Sequence, residues 1–246
     1  MPIDYARSLT GTERTQRTVR HLGLALAFVA GAANAGAYLA VKRYTSHMTG
    51  IVSSIADNLA LGELGLALGA VGAVVAFLLG AMTSAVMINF GRRRQARSAF
   101  ALPLMLEALL FLLFGVMGAT LAGVDGFFVP ATVAVLCFTM GLQNAVITKI
   151  SGSVVRTTHL TGVITDLGIE MGKWAYWNRT PSEQAAPVVA DRARMVMLLS
   201  LVLAFLGGGL VGALGFKHFG YLATLPLAGI LVFLSAVPVY DDWVKR

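Results

Sequence analysis

Two histidines stand in the same setting in this chain. His47 lies within Thr45-Ser46-His47-Met48-Thr49-Gly50, and His159 lies within Thr157-Thr158-His159-Leu160-Thr161-Gly162. Imidazole changes charge near neutral pH, with an unperturbed pKa of about 6.5, so each histidine is a candidate proton carrier or polar ligand. Thr49 and Thr161 set a hydroxyl beside each ring, and Asp166 follows the second phrase by less than two helical turns. Upstream of each phrase an amide sits on an apolar run: Asn34 three residues past Gly31, and Asn144 three past Gly141. Glu107 stands inside LPLMLEALLFLLF. An acid within a spanning helix is costly and marks a functional site by default. Together Asn34, His47, Thr49, Glu107, Asn144, His159, Thr161 and Asp166 are the candidate positions for binding a small solute or ion.

Each has a plainer reading beside the functional one. Thr and Gly alone would make a turn, with the threonines or the preceding histidines capping a following helix and the glycines freeing its backbone. The asparagines would bond across a seam of small residues such as Ala27, Gly31 and Ala35. Glu107 would be tied to a neighbouring helix, and Asp57, Asp166 and Glu170 would be interfacial charges. Gln143 adds polarity beside Asn144 in one copy only.

Other chemistry is not written here. No nucleophile elbow, phosphate loop, paired-histidine zinc motif or cysteine pair is present, so no enzyme, metal or cofactor is expected. The two histidines are not expected to share a metal, because the topology below sets them near opposite membrane faces. Cys137 is alone in an apolar run and reads as a buried small residue. The net charge of +7 lies in the connections between apolar runs, which argues against nucleic acid as a partner.

The elements that would position these residues are membrane helices. Apolar residues make up 57% of the chain and charged ones 13%, about half the share of a soluble domain. Six apolar segments stand out, at 22–41, 64–90, 99–123, 127–148, 194–216 and 219–239. A tight turn is expected at 122–126, and a surface loop at 174–193. The polar start lacks the pattern of a removable signal peptide. With the N-terminus inside, only Lys42, Arg43 and Lys217 of the 19 Lys and Arg residues face out, as the positive-inside rule requires. The basic run at 92–97 then fixes topology and suits anionic lipid.

The six segments read as two sets of three. Phe28, Gly31, Asn34 and Ala35 match Phe138, Gly141, Asn144 and Ala145. Ala76-Phe77-Leu78 and Gly80 match Ala204-Phe205-Leu206 and Gly208, and Leu102-Pro103-Leu104 matches Leu225-Pro226-Leu227. Three crossings is an odd number, so the second copy must run inverted. The expected fold is an all-α membrane protein, with six transmembrane helices as a 3+3 inverted repeat and a short broken or interfacial helix after the first helix of each repeat. Its parts are a cytoplasmic basic segment at 1–21, repeats at 22–123 and 124–239, and a cytoplasmic tail at 240–246.

SHMTG at 46–50, MGLQNA at 140–145 and RTTHLTGVITDLG at 156–168 resemble the YoaK family of bacterial inner-membrane proteins over nearly the whole chain. That family follows the first phrase with Asn, where this chain has Ile51. The resemblance implies a multi-pass protein of the bacterial inner membrane and no established substrate. Inverted repeats are common in secondary transporters, so the leading expectation is a transporter or permeation protein for a small solute, surrounded by membrane lipids. The alternative is a non-transporting scaffold, lipid-binding or assembly subunit. The small-residue seams would serve packing within a protomer or in a homo-oligomer.

Overall fold

A computed structural model describes residues 2–11, 14–121, 128–152, 157–177 and 187–244. Among these the chain is helical throughout: α1 Pro2–Thr10, α2 Gln16–Val41, α3 Met48–Ala60, α4 Leu64–Arg93, α5 Ala101–Leu121, α6 Phe128–Ser151, α7 Leu160–Ala175, α8 Arg192–Phe219 and α9 Thr224–Val244, with a 3-10 turn Gly220–Ala223 between the last two. Five helical stretches are long and apolar enough to cross a membrane, and the fifth, Arg192–Val244, holds both α8 and α9. By contrast α3 and α7 have 13 and 16 residues. At about 1.5 Å per residue they span roughly 20 and 24 Å, short of the ~30 Å hydrocarbon core. They are the two helices that follow the repeated phrases.

The basic N-terminal segment is more ordered than expected. The first long helix starts at Gln16 rather than 22, because Thr15 and Thr18 form a reciprocal capping box that satisfies two amide hydrogens the helix cannot. Before it, α1 is fastened to α9: Thr10 Oγ1 donates to the Leu234 carbonyl at 2.8 Å, and Arg7 pairs with Asp241. The far end of α9 also holds the connection between α4 and α5. Asp242 accepts from the Arg97 and Ser98 amides at 3.1 and 2.8 Å and from Ser98 Oγ at 2.6 Å. The turn expected at 122–126 and residues 178–186 of the loop expected at 174–193 lie outside the described residues.

The solvent for which this chain is built shows in α4 and α8. α4 buries Ala67, Ala70, Ala73, Gly80 and Ser84 while exposing Leu68, Val71, Leu78, Met82 and Val86. α8 buries Gly208 and Gly212 in its middle, with Leu198, Leu201 and Phe216 toward its ends, while exposing Leu203, Leu206, Leu210 and Leu214. Through the middle of both helices small residues lie inside and large apolar ones outside, the reverse of a soluble helix. It suits lipid, where packing depends on close backbone approach and large side chains are already solvated.

The close approaches come in matched pairs. α2 packs on α8, and α4 packs on α6. A Cβ at Gly31 would lie 2.0 Å from the Phe205 carbonyl oxygen, and one at Gly141 would lie 2.0 Å from that of Phe77. In return, Gly208 meets the Phe28 carbonyl at 2.0 Å and Gly80 meets that of Phe138 at 1.9 Å. Each glycine and each phenylalanine has its repeat partner in the other pair of helices. The third matched pair, α5 and α9, pack on each other.

Candidate functional site

Each repeated phrase makes a turn and starts a short helix. α2 stops as Lys42 takes a left-handed conformation, φ 55°, with its N–H still bonded to the Tyr38 carbonyl. Asn34 then reaches from α2 to hold the phrase: its Nδ2 donates to Ser46 Oγ at 2.7 Å. In the other copy Thr158 Oγ1 donates to Asn144 Oδ1 at 2.8 Å, while Asn144 Nδ2 donates back to the Met140 carbonyl. Ser46 and Thr158 are equivalent letters of the two phrases. These bonds run to the following turns rather than across the seam, and Asn34 Oδ1 is buried without a hydrogen-bond partner. Each pins its own helix to the turn that follows.

The histidines and glycines work as a unit that spacing alone did not reveal. His47 and His159 occupy the N-cap positions of α3 and α7, and neither side chain caps its helix. Thr49 and Thr161 lie inside the first turns and are not caps either. Gly50 and Gly162 are helical, not turn-forming. A Cβ at Gly50 would lie 2.3 Å from His47 Cδ2, and one at Gly162 would lie 2.6 Å from His159 Nδ1. Each glycine thus leaves room for an imidazole lying over the first helical turn. The expected capping and backbone-freeing roles are replaced by this packing role. Both imidazole-bearing residues remain exposed.

A cavity opens beside each short helix. One, of about 450 Å³, lies between α3, α4 and α6; its lining includes Arg43, Thr45, His47, Ser54, Asn58, Ala70 and Ala73. The other, of about 960 Å³, lies between α2, α7 and α8; its lining includes Arg17, Arg20, Asp166, Arg194, Leu198 and Leu201. When Ala76-Phe77-Leu78 is laid on Ala204-Phe205-Leu206, Ala70 falls on Leu198 and Ala73 on Leu201. When the two phrases are superposed, Ser54 falls on Asp166. The two cavities thus share three equivalent lining positions, while the rest of each lining differs.

Their chemistry differs. In the second, Arg194 Nη2 donates to Asp166 Oδ2 at 2.9 Å. Beside that pair Glu170 is buried, 2% exposed. It accepts from Lys173 Nζ and from the Asp191 amide, each at 2.8 Å. The Lys173 hydrogen bond first, and then the Asp191 amide, hold its carboxyl below the usual carboxylate range. The first cavity has Ser54 and Asn58 where the second region has Asp166 and Glu170, and no acid lines it.

Of the sequence candidates, His47 lines the first cavity and Asp166 the second. Asn34, Thr49, Glu107, Asn144, His159 and Thr161 line neither. Glu107 is fully buried on α5, and neither carboxyl oxygen has a hydrogen-bond partner. Gln143 bridges α6 to α2 through Nε2 and the Leu26 carbonyl at 3.1 Å, leaving its Oε1 without a partner. Among the described residues no three of His, Cys, Asp and Glu gather as a metal set. Arg17, Arg20, Arg43, Thr45, Ser54, Asn58 and Arg194 were not singled out as site residues from sequence. One signal was present: Ser54 and Asn58 occupy the repeat positions of Asp166 and Glu170.

No curated protein and no solved structure matches the chain. The family described as "Protein of unknown function (DUF1275)" matches residues 22–237, which takes in both phrases, both short helices and the first cavity. The chain belongs to the DUF1275 family.

Proposed function

We propose that the protein moves a small solute across the bacterial inner membrane, as a 3+3 inverted repeat with both termini in the cytoplasm. α2, α4 and α5 form the first set, and α6, α8 and α9 the second. The observation that carries the reading is that three lining positions of one cavity are the equivalents of three in the other, Ala70 with Leu198, Ala73 with Leu201 and Ser54 with Asp166. An inverted pair places the same construction at both faces, so one set of contacts can open either way at similar energy. The short helices α3 and α7 would then lie at opposite faces, each leaning on a long helix of its own set.

Two measurements test this. In a Cys137→Ser background, Leu61→Cys and Tyr176→Cys are both at exposed positions. A membrane-impermeant maleimide should label the first from outside intact cells and the second only after permeabilisation. Labelling of both from the same side ends the inverted reading. Purified protein in liposomes, screened for solute uptake, tests transport itself. His47→Ala, His159→Ala and Asp166→Asn should slow it, and normal uptake by all three would move the site elsewhere.

A further inference from the structure

The smaller cavity carries positive charge that no acid among the described residues neutralises. Arg43 lines it, is exposed, and makes no ion pair or hydrogen bond through its side chain among the described residues. No Asp or Glu shares the lining. Thr45 also lines it and is 2% exposed, yet its hydroxyl has no hydrogen-bond partner among the described residues. Its oxygen keeps some accessible surface, so a group in the cavity can bond to it. α3 begins without a side-chain cap; the Met48 amide already donates to the Ser46 carbonyl at 3.2 Å, which leaves the Thr49 and Gly50 amides and the positive end of the helix dipole at its start. Opposite these groups, Ile51, Ala70, Ala73 and Val133 form an apolar wall.

We infer that this cavity binds a small organic monoanion. Its carboxylate sits on Arg43, the Thr45 hydroxyl and the open start of α3, and its short apolar body lies against Ile51, Ala70, Ala73 and Val133. One uncompensated guanidinium matches one negative charge, and the planar guanidinium fork suits a carboxylate bound through both oxygens. About 450 Å³ falls within the range of small-molecule sites, roughly 300–1,000 Å³. The equivalent cavity has the same sign of charge. Arg17 and Arg20 line it without acid partners among the described residues; its two acids are Asp166, held by the Arg194 side chain, and Asp191, which caps α8 by accepting from the Arg194 amide. An anion leaving the first site therefore meets free cations at the second. That passage rests on the transport reading above; binding does not.

The test uses the full chain in detergent and in liposomes, with pyruvate and butyrate as anionic probes, butylamine and butanol as cationic and neutral counterparts, and inorganic phosphate. Pyruvate or butyrate should raise the melting temperature, and the amine and alcohol should not. Arg43→Gln should weaken that binding at least tenfold without changing the unliganded melting temperature, Arg43→Lys should restore part of it, and Thr45→Val should weaken it severalfold. Stabilisation by the amine or alcohol, binding unaltered in Arg43→Gln, a response to phosphate alone, or no response to either carboxylate overturns the assignment. The two readings fail separately. Carboxylate binding without pyruvate counterflow leaves this site intact and ends transport as its purpose. Uptake of the amine does the reverse.

Discussion

Gly141 lies so close to Phe77 that a Cβ would stand 2.0 Å from the phenylalanine's carbonyl oxygen, and Gly31 stands in the same relation to Phe205. A backbone carbonyl cannot rotate away as a side chain can. Gly141→Ala should therefore force α6 off α4, and Gly31→Ala should force α2 off α8. Overpacking of this kind costs roughly 1–3 kcal/mol or more. Thermal unfolding in detergent measures it. Gly168 and Gly172 have nothing within 4 Å, and alanine there should instead add about 0.5–1 kcal/mol through helix propensity. Equal behaviour of the two classes would contradict the packing described.

Gly50→Ala separates a side-chain clash from a backbone one. The new methyl would meet only the His47 ring, which can swing out. The loss of stability should be smaller than for Gly141→Ala, and His47→Ala should remove most of it in a double-mutant cycle.

Asn34 and Ser46 should show a coupling of about 1 kcal/mol in such a cycle, the net worth of one buried hydrogen bond. Asn144 and Thr158 should show a similar value, since the same link is made in the second copy. Coupling confined to one pair would mean the two turns are held differently.

Glu170 gives the α7–α8 region a pH dependence of defined sign. Its carboxyl is held below the ordinary range, so its contribution is present above the unfolded value, about 4.3. That contribution fades as pH falls through the folded one. Hydrogen exchange at residues 166–175 should rise in that acid window in the wild type. In Glu170→Gln it should already be raised at neutral pH and be flatter below.

Glu107 has no partner to lose. Because both oxygens are buried and unpaired, Glu107→Leu should leave the melting temperature unchanged or raise it. If uptake also survives, the acid has no part in transport.

The chain's own letters determined a good deal. Hydropathy marked the long helices to within several residues, because a spanning segment must hide some thirty ångströms of backbone from lipid and can do so only as helix. The close-packed positions left a trace as matched identities, Phe28 with Phe138 and Gly80 with Gly208, since close approach admits no side chain and leaves glycine there. The early start of α2 was missed, because a Thr15–Thr18 capping box extends a helix into polar sequence that hydropathy discounts.

The site was less legible. His47 and Gly50 looked like a cap and a turn, and only tertiary structure showed a ring lying over a helical glycine. Asn34 and Asn144 looked like central amides, and only their bonds to Ser46 and Thr158 made them fasteners of their own turns. The cavities could not be read at all. Arg43 and Thr45 stand next to α3, but Ala70, Ala73 and Val133 come from distant segments, and which helices lean together is fixed by packing between halves rather than by any local run of residues.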